Sequence, residues 1–311
     1  MTQEFAIEAN GLVKHFDGVR AVDGVNLAVP AGTIYGVLGP NGAGKTTSLR
    51  MLLGIIDPDS GDRRLLGNPS PLKVAAQVGY LPEERGLYPT MQAREAIAFM
   101  GALRGLSLAE GRARADRLLE EHGLGDAARR PIRTLSKGMA QTVQILGTIV
   151  HNPKLIVLDE PFSGLDAINQ GRLEALIRAQ VAAGATILFS THVIAHAERL
   201  CERIAIIVGG RVQFEGSVVD ARGRLRPVVT LVTRADEGPW RDALPADASR
   251  DDRTWTFELP PTGIEPLLAR LIAGEAGIET LSIERPGLHE AFVDIVGGSV
   301  ADSMDRAGEE R

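Results

Sequence analysis

The chain has 311 residues, with 34 Lys and Arg against 40 Asp and Glu and a formal net charge of −6. This acidic balance argues against a broad cationic surface for nucleic acid. With 44% hydrophobic and 24% charged residues, the composition is that of a globular protein able to bury a sizeable core in roughly two domains.

The opening MTQEFAIEAN lacks the cationic and apolar regions of a secretory signal. Over 6–29, short alternating segments broken by Gly11, Gly18, Gly24 and Pro30 predict antiparallel strands and tight turns. Residues 33–38 read as an apolar strand entering a glycine-rich turn. The stretch 46–56 then carries Leu49, Met51, Leu52, Leu53 and Ile55 at helical density. From 93 to 149 the pattern is mostly helical, with a charged, solvated helix over 108–121, and predicts an inserted helical subdomain. Short apolar runs at 155–158 and 185–189, separated by a helical pattern over 167–181, predict buried parallel strands.

The longest stretch without a formal charge, 179–197, is too polar to span a membrane, since it contains Gln180, Ser190, Thr191, His192 and His196. The single cysteine, Cys201, cannot make an internal disulfide, which fits a reducing cytosol. Residues 204–215 predict a hairpin turning at Gly209-Gly210. Beyond about Ala221, strands are expected at 228–233 and 254–259 and a helix at 264–273, with both tryptophans, Trp240 and Trp255, in this part. The expected organisation is a first domain over 1–221 with its helical subdomain at about 84–150, a small α+β domain over 222–298, and a flexible tail over 299–311.

Gly39-Pro40-Asn41-Gly42-Ala43-Gly44-Lys45-Thr46 fits G-x-x-x-x-G-K-[ST] between a predicted strand and a predicted helix, followed by Thr47. Glycines there let backbone N–H groups close round phosphate oxygens at a helix N-terminus. Lys45 is then expected on the β- and γ-phosphates and the Thr46 hydroxyl on Mg²⁺. The apolar run at 155–158 ends in Asp159 and Glu160, which places Asp159 beside Mg²⁺ and Glu160 where it can polarise an attacking water.

These residues resemble the nucleotide-binding subunits of ATP-binding cassette transporters over about 5–216. Between the phosphate motifs, Leu135-Ser136-Lys137-Gly138-Met139 is similar to the family's L-S-G-G-Q signature. Ser163-Gly164-Leu165-Asp166 resembles its D-loop, and His192 its switch histidine. The resemblance implies an α/β fold, a P-loop ATP-binding cassette with an antiparallel β subdomain and an inserted helical subdomain, here joined to a small C-terminal α+β domain. It implies ATP and Mg²⁺ as ligands and Glu160, His192 and Lys45 as catalytic residues. Nucleotide contacts are implied at Phe16, which stacks on adenine, at 39–47, and at Ser136, Gly138 and Asp166. Metal contacts are implied at Thr46, Asp159 and Glu83. Glu83 and Lys137 and Met139 depart from the family's usual Gln, Gly and Gln.

Because nucleotide in the family is sandwiched between the phosphate loop of one cassette and the signature of another, the resemblance implies a second copy, as a homodimer, or a homologous cassette. A separate integral permease is also implied, meeting the chain near Arg85-Gly86-Leu87-Tyr88-Pro89 on the inner face of the cell membrane. The stretches 82–89 and 135–139 and the C-terminal Leu288-His289-Glu290-Ala291-Phe292 resemble a bacterial subgroup of sodium-extrusion and drug- or antibiotic-export ATPases, which favours export. The rival expectation is a soluble ATPase acting as a mechanical switch on the ribosome, on DNA or on another non-transport partner. Translation-type relatives typically carry two cassettes in one chain, whereas one G-x-x-x-x-G-K-T occurs here, and DNA-repair relatives insert a long coiled coil that is not expected between Thr47 and Ser136. A kinase with the same loop leaves 135–138 and Asp166 unexplained.

Overall fold

The computed structural model describes residues 4–84 and 86–297, which form two compact units, 4–217 and 218–297. Arg85 and the expected tail at 299–311 lie outside the described residues.

In the first unit, β1 (Phe5–Phe16) and β2 (Val19–Pro30) pair antiparallel across the Asp17-Gly18 turn. Instead of the several short segments expected, these are two 12-residue strands. Gly11 at φ 60° and Gly24 at φ 71° lie where the register shifts, and the strands run on through them because glycine enters left-handed backbone without a Cβ penalty. β3 (Ile34–Leu38) leads through the glycine loop into α1 (Lys45–Leu52). This helix stops before the expected end at Ile56, because Gly54 at φ 71° turns the chain away. β4 (Ser60–Leu65) returns to the free edge of β1, giving the order β2-β1-β4.

β5 (Val78–Leu81) precedes three helices, α2 (Ala93–Ala102), α3 (Leu108–Glu121) and α4 (Lys137–Ile149), which form the inserted helical subdomain. Ser107 starts α3 by accepting the Glu110 N–H at 3.2 Å, a side-chain N-cap. Then come β6 (Leu155–Asp159), α5 (Ala167–Ala182), β7 (Thr186–Thr191), α6 (Ile194–Leu200), β8 (Arg203–Val208) and β9 (Arg211–Ser217). The central sheet has the order β5-β6-β7-β3-β8-β9, parallel except for the last strand. Every residue of β3, β6 and β7 is buried, as expected where both faces of a parallel sheet are covered. One core joins the two sheets across α1, uniting Ile7, Leu27 and Val29 with Leu49, Met51, Val157 and Leu188.

The second unit contains α7 (Val218–Arg222), β10 (Val228–Thr233), β11 (Ser249–Asp251), β12 (Thr254–Glu258), α8 (Glu265–Ala273) and β13 (Ile278–Glu284), with a last helix over 288–297. Its antiparallel sheet has the order β11-β12-β10-β13. The expected strands and helix are present; β11, β13 and the last helix are additional. Trp240 and Trp255 meet edge to face at 5.7 Å within a core that includes Leu231, Phe257 and Leu271.

His151, just after α4, contacts the Val78 carbonyl oxygen through Nε2 at 3.2 Å, while Nδ1 is buried without a partner. Burial pushes the ring's pKa down to about 4. The unfolded chain therefore takes up this proton below its ordinary pKa of about 6.5, while the folded chain does so only near 4. Stability from neutral His151 is full above that upper value and is lost progressively as the pH falls between the two. Thermal melts should show a smaller loss of melting temperature between those pH values in His151→Gln than in the parent.

Candidate functional site

β3, β6 and β7 are neighbours in the sheet, and their carboxyl ends lie at one edge, with Leu38 beside Thr191 and Asp159 beside Ser190. In open α/β sheets this is the edge from which ligand-binding loops emerge. The glycine loop leaves β3 there. A Cβ on Gly44, at φ 98°, would stand 2.5 Å from the Ala21 carbonyl oxygen, and a Cβ on Gly39 would run into the Ile207 carbonyl. Both positions demand glycine because backbone passes so closely. The loop is held from outside by Gly210 N–H donating to the Ala43 carbonyl at 3.0 Å. α1 starts at Lys45 with no side-chain cap, so the N–H groups of its first turn face the loop and favour an anion.

Lys45 is 6% exposed, and its Nζ donates to the carbonyls of Gly39 at 2.8 Å and Pro40 at 3.2 Å. It also lies 3.4 Å from Glu160 Oε1. Thr46 Oγ1 donates to Asp159 Oδ1 at 3.1 Å, and Ser190 Oγ donates to the same oxygen at 2.6 Å. Burial holds the Asp159 carboxyl above the ordinary carboxylate range, opposed by these hydrogen bonds. His192 Nδ1 and Glu160 Oε2 are 3.0 Å apart, so this contact sets the ring's orientation. The sequence-expected Lys45, Thr46, Asp159, Glu160 and His192 are thus brought together.

Two buried oxygens of this cluster, Asp159 Oδ2 and Glu160 Oε1, have no hydrogen-bond partner among the described residues. A hydroxyl beside a carboxylate is the hard oxygen donor set of a small divalent cation. Among the described residues no group of three or more His, Cys, Asp or Glu could hold a metal ion unaided. The donors therefore fit an ion that arrives with an oxygen-rich ligand, and the loop fits the phosphates of that ligand.

The other expected residues are placed differently. Phe16 ends β1 and is 46% exposed, with Lys14 Nζ 5.8 Å from the ring centre. Glu83 is exposed and shares no hydrogen bond with Thr46 or Asp159 among the described residues. Ser136 caps α4 by accepting the Met139 N–H at 3.2 Å, and Asp166 caps α5 by accepting the Asn169 N–H at 2.9 Å. A Cβ on Gly138 would lie 2.8 Å from Asn169 Nδ2, so the signature and D-loop segments adjoin each other. Among the described residues neither Ser136 nor Gly138 shares a hydrogen bond with the Lys45 cluster.

Sequence reasoning missed Ser190, which entered only among the polar residues of the stretch 179–197. It also missed the stacking of Phe162 on buried His196 at 4.1 Å. The available signal for Ser190 was a polar residue ending an apolar strand beside another strand ending in acids.

A sequence model described as ABC transporter matches residues 22–163. The uncharacterized ABC transporter ATP-binding protein YhaQ of Bacillus subtilis is 32% identical over 296 residues, 92% of this chain and 97% of that protein. The daunorubicin/doxorubicin resistance ATP-binding protein DrrA of Streptomyces peucetius is 35% identical over 319 residues, 98% of this chain and 97% of that protein. A solved structure described as the ATP binding subunit of an ABC transporter superposes with a TM-score of 0.65 at 32% identity, covering 70% of this chain and 92% of the other.

Gly44→Ala puts a Cβ on left-handed backbone and against a carbonyl, and should lower unfolding stability by about 1–2 kcal/mol. Urea denaturation of the two proteins measures this directly, and nucleotide titration of the folded variant should show weakened binding.

Proposed function

We infer that this chain, which belongs to the ATP-binding subunits of ABC transporters, hydrolyses ATP to drive export through a separate membrane permease. The observation that carries this reading is the convergence of Lys45, Thr46, Asp159, Glu160 and His192 at the carboxyl edge of one parallel sheet. Phosphates would lie against the loop 39–44 and the first turn of α1, including Thr47. Lys45 would exchange its carbonyl partners for β- and γ-phosphate oxygens. Phe16 would stack on adenine.

Glu160 would orient the attacking water and accept its proton. His192, with Nδ1 engaged by Glu160, would turn Nε2 toward the γ-phosphate. Thr46 and Asp159 would hold Mg²⁺, with Glu83 a candidate for its water shell; bound there, the ion neutralises charge on the phosphate oxygens.

ABC ATP-binding subunits work as dimers with membrane permeases. Here a homodimer is supported by the presence of Lys45, Thr46, Asp159, Glu160 and His192 in one chain, so that neither half of a symmetric pair would be degenerate. Ser136 and Gly138 of a second copy would complete the nucleotide site from outside, together with Asp166. Two equivalent sites would then close on ATP and reopen after hydrolysis. The exposed Tyr88, set edge to face against Phe99 at 6.0 Å, marks the surface proposed to meet the permease on the inner face of the membrane. Among the described residues no helix is long and apolar enough to cross a membrane itself. The resistance function in the name of the Streptomyces relative supports a drug or another small molecule as cargo. The C-terminal unit is proposed as a dimerisation or regulatory module. No observation favours the ribosomal switch.

Glu160→Gln should cut ATP turnover by about 10²-fold or more, the scale of a lost general base, while ATP-loaded dimers persist in sedimentation velocity. Lys45→Ala should weaken nucleotide binding by about tenfold or more, as expected on removing charge-assisted hydrogen bonds. Normal turnover in Glu160→Gln, or monomers only with excess magnesium nucleotide, would overturn the reading.

A further inference from the structure

Ser190 is the last residue but one of β7, is fully buried, and its hydroxyl has two partners belonging to two adjacent acids, Asp159 at the end of β6 and Glu160 just after it. One is the Glu160 backbone N–H, which donates to Oγ at 2.9 Å. The other is Asp159 Oδ1, 2.6 Å away. A serine hydroxyl has one proton. Because an ionised carboxylate can only accept, the hydroxyl gives its own proton to Asp159. The direction of both bonds is therefore determined, and a single oxygen fixes the carboxylate of one acid and the backbone of the next.

That backbone needs fixing. Glu160 is a non-glycine residue at φ 48°, in the left-handed region that such residues adopt only when their surroundings over-determine it. Its side chain is directed to Lys45 on one oxygen and His192 on the other. Release of the Glu160 N–H would let the peptide relax and swing the carboxylate away from both. We propose that Ser190 is a positioning residue for ATP hydrolysis, holding Asp159 and Glu160 in mutual register through its hydroxyl while touching neither nucleotide nor water. This rests on the reading of Glu160 as the group that orients the attacking water.

Ser190→Ala removes the hydroxyl at nearly constant volume. Steady-state ATPase kinetics and titration with a non-hydrolysable ATP analogue should be run on the full chain, alongside Glu160→Gln and the core variant Leu188→Val on the same strand. The expected result for Ser190→Ala is a fall in kcat of about 10–100-fold with KM and analogue affinity nearly unchanged, the scale of a misplaced catalytic group. Leu188→Val should lower the melting temperature with kcat retained, which separates loss of stability from loss of positioning. A Ser190→Ala kcat within about twofold of the parent, or a loss confined to nucleotide affinity, overturns the proposal. If Glu160→Gln is inactive while Ser190→Ala is normal, the proposal alone falls. If Glu160→Gln turns over normally, the reading of Glu160 falls and takes the proposal with it.

Discussion

The structure depends on keeping one ammonium and two carboxylates together in a nearly water-free place. Lys45, Asp159 and Glu160 are all buried, and an isolated charge so placed costs several kcal/mol. The arrangement is tolerable because each group faces partners of the right kind. Lys45 has two carbonyls and a carboxylate; Asp159 has two hydroxyls; Glu160 has an ammonium and an imidazole. Apart from the two loop carbonyls on Lys45, none of these partners is local. They come from the glycine loop, α1, β6, β7 and the loop after β7, so the cluster exists only if the parallel strands end level with one another.

That requirement explains where the hydrophobic residues are spent. β3, β6 and β7 are buried end to end, and they pair in a register that sets Leu38 by Thr191 and Asp159 by Ser190. A slip of one residue would exchange the two faces of a strand and send Asp159 away from Thr46. The register of these buried strands therefore does more than stabilise the unit. It converts a nonspecific preference for burial into the placement of polar atoms to within hydrogen-bonding distance.

Much of this was legible because its determinants are local. The phosphate loop reads directly as glycines before Lys45 and Thr46, and the core strands read as short apolar runs. α3 has the bounds expected from its charged pattern, with Ser107 as a cap. What escaped depends on contacts distant in sequence. β13 pairs with β10 over a separation that no local period signals, and its own residues are only partly buried. Ser190 acquires its partners 30 and 31 residues away. Gly11 and Gly24 misled in the opposite sense: read as breaks, they are shifts of register inside continuous strands.

The caps of α4 and α5 bear on how the two candidate nucleotide surfaces could communicate. Ser136 and Asp166 each engage the backbone N–H of their own helix's first turn, so each loop moves with the helix behind it. Gly138 lies against Asn169, and Asn169 is doubly bonded to the Asp166 carboxylate. A displacement of the signature segment toward or away from a second copy must then be transmitted to Asp166 through Asn169 or break that packing. On the other side, Phe162, which lies between Glu160 and Asp166 in the chain, stacks on His196 of α6, the helix that begins two residues after His192. The segment 160–166 is therefore gripped at both ends, by the buried charge cluster and by the capped helix. A rearrangement at either end has a short, packed route to the other.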